Sequence, residues 1–245
     1  MNLRHLIATA ALGPVLLAQG RRVRRRVPAL PEPEGPREGE CGSGPALRLL
    51  IVGDSAAAGV GARTQDEALS GQLAVSLAPT FRVRWKLLAF TGATTGDMLD
   101  HLRREAATDY DVVLTSLGVN DVTGRHSLAT WRRQQRELVA LLTGRFHAGQ
   151  VLLSGLPPMH RFPALPQPLR WYVGSRARDF DHALEELAGG LACCEFLGLG
   201  HEMMDVSAMA SDGFHPGPPI YAVWAQEAAR RIIHRQSQHP TEPIT

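Results

Sequence analysis

The sequence predicts an α/β fold in which helices cover a central parallel sheet. Three observations carry that expectation. Short apolar, β-branched runs recur along the chain; a stretch with apolar residues at three- and four-residue spacing follows each; and the alternation continues to the C-terminal helix. Parallel strands need crossover connections, and helical crossovers cover the faces of the sheet.

The first strand is Leu47 to Val52 (LRLLIV), apolar almost throughout, as a strand buried on both faces must be. Ala68 to Leu77 is the helix that follows. Phe81 to Phe90 (FRVRWKLLAF) supplies the second strand and Gly96 to Glu105 the second helix. Val112 to Leu117 (VVLTSL) is the third strand, with Ser127 to Leu142 as its helix. Val151 to Ser154 (VLLS) is the fourth, followed by Trp171 to Ala192. Pro218 to His234 is the last helix, with proline in its first turn, where the missing N–H would have no partner anyway. In such sheets the ligand crevice lies beyond the carboxyl ends of the strands.

A chain of 245 residues, 44% hydrophobic and 20% charged, fits one ordinary globular domain. Up to Ala46 there are seven Arg against four Glu, which leaves 19 basic and 20 acidic residues in the rest. A near-neutral body excludes the basic face that nucleic acid requires. Three cysteines, with Cys193 and Cys194 adjacent, make neither a disulfide framework nor a CxxC metal pair.

Residues 1–20 form a hydrophobic segment of signal or anchor type. Its apolar run, Leu6 to Ala18, is interrupted by Gly13 and Pro14 and is shorter than the ~20 residues a spanning helix needs. Ala18-Gln19-Gly20 would pass as a cleavage site, but the cluster Arg21 to Arg26 (RRVRRR) puts positive charge on the side to be translocated. Association with a membrane surface, where each cation contributes about 1 kcal/mol, competes with export and with a solvated cytoplasmic tail. Residues 21–45 are Arg-rich and then Pro/Gly/Glu-rich, and read as a linker. Residues 46–236 are the folded domain and 237–245 a C-terminal tail.

Leu49 to Ala62 (LLIVGDSAAAGVGA) places Ser55 just past the first strand, where the loop opens on the crevice. Gly53 to Gly59 has a P-loop's span, but Val60-Gly61 stands where Lys and Ser/Thr should follow. No dinucleotide fingerprint is completed, and the GxSxG elbow is absent. Taken alone, GDS marks a turn or a helix cap as readily as a nucleophile.

A serine nucleophile requires a base, a group that orients the base, and donors for the developing oxyanion. SDGFHPG, residues 211–217, sets Asp212 and His215 three apart in a loop before the last helix. That spacing lets a carboxylate reach one imidazole nitrogen while the other faces outward; an Asx-turn and a surface histidine read equally well. Leu117 to Val122 (LGVNDV) brings Asn120 off the third strand, and Thr91 to Asp97 (TGATTGD) brings Gly92 off the second. A cap pair and a turn glycine are the plain alternatives. All four segments nevertheless either leave the sheet after strands or lie in the loop before the closing helix, so that one crevice could hold them.

Gly-Asp-Ser, an isolated Gly after the second strand, Gly-x-Asn-Asp after the third and Asp-x-x-His-Pro before the last helix, in that order, resemble the SGNH (GDSL-type) hydrolase superfamily. The resemblance covers roughly Leu47 to Arg231. It implies a flavodoxin-like three-layer α/β/α sandwich and an esterase or lipase-like activity. It also implies roles: Ser55 as nucleophile, His215 as base, Asp212 as its orienting partner, and an oxyanion hole from Ser55, Gly92 and Asn120. Ala56 stands where the GDSL pattern has leucine, a position without chemistry. Asp54 reads as a structural holder of the turn.

A serine esterase for short- to medium-chain acyl or aryl esters is therefore expected, needing no metal or organic cofactor. Its partner is a small-molecule ester, with membrane association through the N-terminal segment as a further expectation. Leu156 to Trp171 (LPPMHRFPALPQPLRW), apolar and Pro-rich, would overhang the crevice as an acyl-binding wall or pack as a stiffened connection. A polysaccharide deacetylase, an acyltransferase or a non-catalytic binding module on the same fold are the alternatives.

Overall fold

Among the described residues six strands form one sheet in the order β1-β3-β2-β4-β5-β6. They are β1 (Glu38–Cys41), β2 (Ala46–Gly53), β3 (Arg82–Ala89), β4 (Val112–Ser116), β5 (Gln150–Ser154) and β6 (Cys194–Leu197). Every pairing is parallel except that of β1, which runs antiparallel to β3. The helices are α1 (Leu3–Arg26), α2 (Ser55–Ala58), α3 (Leu69–Leu77), α4 (Thr95–Arg104), α5 (Val119–Thr123), α6 (Leu128–Arg145), α7 (Leu169–Gly189) and α8 (Pro218–Gln238). The computed structural model describes residues 3–124, 126–199 and 205–238, residues 3–11 by their backbone alone.

The strand alternation explains the layers. Leu50, Val52, Val113, Val151 and Leu153 point into a core shared with α4, α6 and α7. Their neighbours Leu49, Ile51, Leu114 and Leu152 point the other way, against α3 and α8. The result is the three-layer α/β/α sandwich that the sequence predicts. Within it the chain runs from β2 out to β3 and then crosses to β4 on the other side. That reversal makes the crevice between the loops after β2 and β4 a topological switch point.

Register aligns those loops. Gly53 pairs with Ala89 of β3 and with Ser116 of β4, so the three strands end at one level. Gly53 is also fixed by space: a Cβ there would stand 2.4 Å from the Ala57 Cβ and 2.5 Å from the Ser116 carbonyl oxygen. The turn into α2 needs glycine for that reason.

Four elements differ from expectation. The linker read over residues 21–45 is corrected at both ends: α1 continues through Arg26, and Glu38–Cys41 joins the sheet as an edge strand. Charge on a half-exposed edge strand suits its position, because it discourages pairing with another chain. The short strand β6 is added between α7 and α8. The tail at 237–245 overlaps α8 up to Gln238, and residues 239–245 lie outside the described residues.

Candidate active site

Ser55 opens α2, and its neighbour Asp54 is the N-cap, accepting the Ala56 N–H through Oδ1 at 3.0 Å. As the first helical residue, Ser55 has a backbone N–H with no acceptor inside the helix. Its hydroxyl meets His215, which comes from the loop before α8: Nε2 of His215 is 2.9 Å from Ser55 Oγ. Nδ1 of His215 lies 2.5 Å from Asp212 Oδ2. The other oxygen of Asp212 accepts the N–H groups of Phe214 at 2.9 Å and of His215 at 3.0 Å.

Asp212 is buried, which pushes its pKa up. The hydrogen bonds from the His215 ring and from the His215 and Phe214 N–H groups outweigh burial and hold the carboxyl below its ordinary value. The loop itself is clamped: Ala210 N–H donates to the His215 carbonyl at 2.9 Å and Gly217 N–H to Ala208 at 3.0 Å. Gly61 lets the loop after α2 pass beside it, because a Cβ at that φ of +105° would stand 2.1 Å from the Pro216 carbonyl oxygen.

Asn120, in α5, donates its amide to the Ala93 carbonyl at 2.9 Å and lies 3.4 Å from Asp54 Oδ2. Gly92, next to Ala93, is exposed at φ +84°. The structure therefore joins Ser55, His215 and Asp212 in one hydrogen-bonded chain and sets Asn120 against Asp54. Gly92 and Asn120 are not among the residues lining the cleft at Ser55. Asp121, beside Asn120, is buried and accepts the Thr95 N–H at 3.1 Å and hydroxyl at 3.0 Å, which ties α5 to α4.

Asp54 is the most perturbed carboxyl of the site. Burial raises its pKa to about 7, against the opposing pull of the Ala56 N–H and of His215. Sequence reasoning assigns it only the turn; nothing in GDS signals that the side chain is sealed from water.

The cleft beside Ser55 is apolar. Leu117, Val119, Leu156, Phe162, Ile220 and Trp224 line it, together with Phe214 next to the histidine. The expected wall from Leu156 to Trp171 divides: Leu156, Pro157 and Phe162 face the cleft, Met159 and Leu165 enter the core, and Trp171 stays 41% exposed. Ile220 and Trp224 were not legible as site residues, because their helical spacing in α8 reads as core.

The family model for GDSL-like lipases and acylhydrolases matches residues 51–223. No curated protein matches the sequence. Among solved structures, a G-D-S-L family protein from Desulfitobacterium hafniense superposes with a TM-score of 0.60 at 14% identity, over 75% of this chain and 98% of that one. A lipase/acylhydrolase from Enterococcus faecalis gives 0.55 at 19% identity, over 77% and 96%. An acetylxylan esterase from Geobacillus stearothermophilus gives 0.55 at 18% identity, over 78% and 94%. At these identities the likeness is one of fold.

Proposed function

Because this chain belongs to the GDSL-like lipase/acylhydrolase family, we propose that it is a serine esterase that cleaves carboxylic esters of short- to medium-chain or aryl acids. One observation carries the reading: the unbroken chain from Asp212 through His215 to the Ser55 hydroxyl, ending at an apolar cleft.

In the first step Ser55 Oγ attacks the ester carbonyl while His215 Nε2 takes its proton. Asp212 stays ionised, orients the ring through Nδ1–H and stabilises the imidazolium. The oxyanion is received by the Ser55 N–H and, in the roles that the family resemblance implies, by the Gly92 N–H and the Asn120 amide, which stand outside the cleft lining; the long contact of Asn120 to Asp54 is the one given up. His215 then protonates the leaving alcohol. Water attacks the acyl-serine with His215 as base, the acid departs, and the proton returns to Ser55. The apolar lining favours an acyl or aryl group over a sugar, which calls for polar side chains.

Hydrolysis of p-nitrophenyl esters from acetate to palmitate, by the wild type and by Ser55→Ala, tests the reading. Turnover of short and medium chains by the wild type, lost in the variant, is expected. No turnover at any length by the wild type overturns it. Activity confined to acetate, extending to acetylated xylan, would move the chain toward the chemistry named for the Geobacillus neighbour.

A further inference from the structure

Helix α1 has no part in the chemistry above, and its arginines are unexplained by it. Arg21, Arg22, Arg24, Arg25 and Arg26 are all exposed, and among the described residues none makes an ion pair. Cations at a helix C-terminus favour the macrodipole only within the last turn, which covers Arg24 to Arg26 and not Arg21 or Arg22.

The helix is held firmly in place. Leu12, Leu16 and Val23 pack on the core, and the Gln19 side chain accepts the Leu169 N–H at 3.0 Å and donates to the Gln167 carbonyl at 2.6 Å. This docking leaves Val15 at 46% and Leu17 at 57% exposure, with Trp171 of α7 nearby in sequence to that contact at 41%. Large apolar side chains beside a run of unpaired arginines are the composition of a helix that lies in a membrane interface.

The basic end borders the active site. Arg22, Arg26 and Arg170 line one recess with Pro163 and Ala164. The Arg170 guanidinium is positioned by the carbonyls of Leu165, at 2.5 Å, and Pro163, at 3.3 Å, and among the described residues it makes no ion pair. Asp212 also borders the recess, but its oxygens are engaged by His215 and Phe214. Ala164 N–H donates to the Gly213 carbonyl at 3.2 Å, so one wall separates the recess from the cleft, with Phe162 and Phe214 on the cleft side.

We propose that α1 seats the protein on an anionic lipid surface, its arginines among the headgroups and Val15, Leu17 and Trp171 at the acyl boundary. The cleft is then held beside the bilayer. Charge complementarity selects this occupant: residues 1–26 carry six Arg and no acid, while the rest of the chain carries 20 basic and 24 acidic residues. An anionic surface would attract α1 and repel the remainder, which orients the molecule. Lying on the surface also fits the helix, since no helix of the described residues is long and apolar enough to cross a membrane.

Sedimentation of the 245-residue chain with vesicles tests the proposal. The protein should bind vesicles of mixed phosphatidylglycerol and phosphatidylcholine, leave them as salt rises from about 0.1 M to about 0.5 M, and ignore phosphatidylcholine alone. Arg22→Gln with Arg26→Gln should lower the partition coefficient roughly 5-fold per arginine. Arg24→Gln with Arg25→Gln should act alike, an independent reading should the first pair misfold by circular dichroism. Ser55→Ala should bind like the wild type, so loss of the esterase reading leaves this one intact. Equal binding to neutral vesicles, no binding to anionic ones, or full binding by both arginine pairs overturns it.

Discussion

Asn120 stands between two acceptors, and its role turns on which of them it can release. The Ala93 carbonyl at 2.9 Å is a full hydrogen bond, whereas Asp54 Oδ2 at 3.4 Å is a weak one. An oxyanion forming at Ser55 would draw the second N–H away from Asp54. Asn120→Ala should then lower kcat by roughly 10²- to 10³-fold on p-nitrophenyl esters, the cost of one oxyanion donor. Activity equal to the wild type would reduce Asn120 to a tie between loops. Asp54 makes a separate prediction through its proton. Its folded pKa of about 7 lies above the 3.8 of an ordinary aspartate. Between those values the unfolded chain has released the proton and the folded chain retains it, so stability falls as pH rises through that window and levels off above it. The whole effect is about 4 kcal/mol at 1.36 kcal/mol per unit. Asp54→Asn removes it, and any change in hydrogen bonding adds an offset that does not vary with pH. Urea midpoints measured from pH 4 to 8 should show the variant gaining on the wild type up to about pH 7 and then running parallel; a flat difference would mean that Asp54 ionises normally.

At the scale of elements, legibility followed burial. Of the four strands read from sequence, β2, β4 and β5 are apolar runs buried over nearly their whole length, whereas β3 alternates exposed Arg82 and Arg84 with buried Val83 and Trp85 before its buried end; all four recur within a few residues of their expected bounds. Their helices carry the apolar stripe that faces each core. β1 was not legible because EGEC, at a half-exposed edge, needs no apolar face and looks like the Pro/Gly/Glu-rich segment around it. β6 is four residues with Glu195 in the middle, half-buried in an ion pair with Arg231 at 2.9 Å, so hydrophobic period does not mark it. The extent of α1 was hidden by Pro14 and by a charge cluster that composition alone assigns to solvent. The site was legible in a different way: Ser55, Asp212 and His215 could be placed on loops that leave one end of the sheet, although no local pattern requires them to touch. The cleft wall was not, because residues of α8 that line the cleft and residues that meet only core share one spacing.

The molecule as a whole places the cleft where its two cores converge at the carboxyl end of the sheet. Ile220, Leu117, Leu156 and Phe162 belong to the core under α4, α6 and α7, while Trp224 belongs to the one under α3 and α8. All of them also line the cleft. The side chains that line the cleft are therefore also core side chains, so under the proposed esterase function a change in one should move both acyl preference and stability. Ile220→Ala should cost about 2–5 kcal/mol, as loss of a buried aliphatic side chain does, and should also enlarge the space beside Ser55. The p-nitrophenyl ester profile should shift toward longer chains. Ile232 supplies the control: it is fully buried in the same helix but does not border the cleft. Ile232→Ala should lose comparable stability, read from urea unfolding, and keep the wild-type profile. If both variants keep that profile, the acyl group lies outside this cleft; if only Ile220→Ala changes it, the packing that folds the chain also sets the length of acid it accepts.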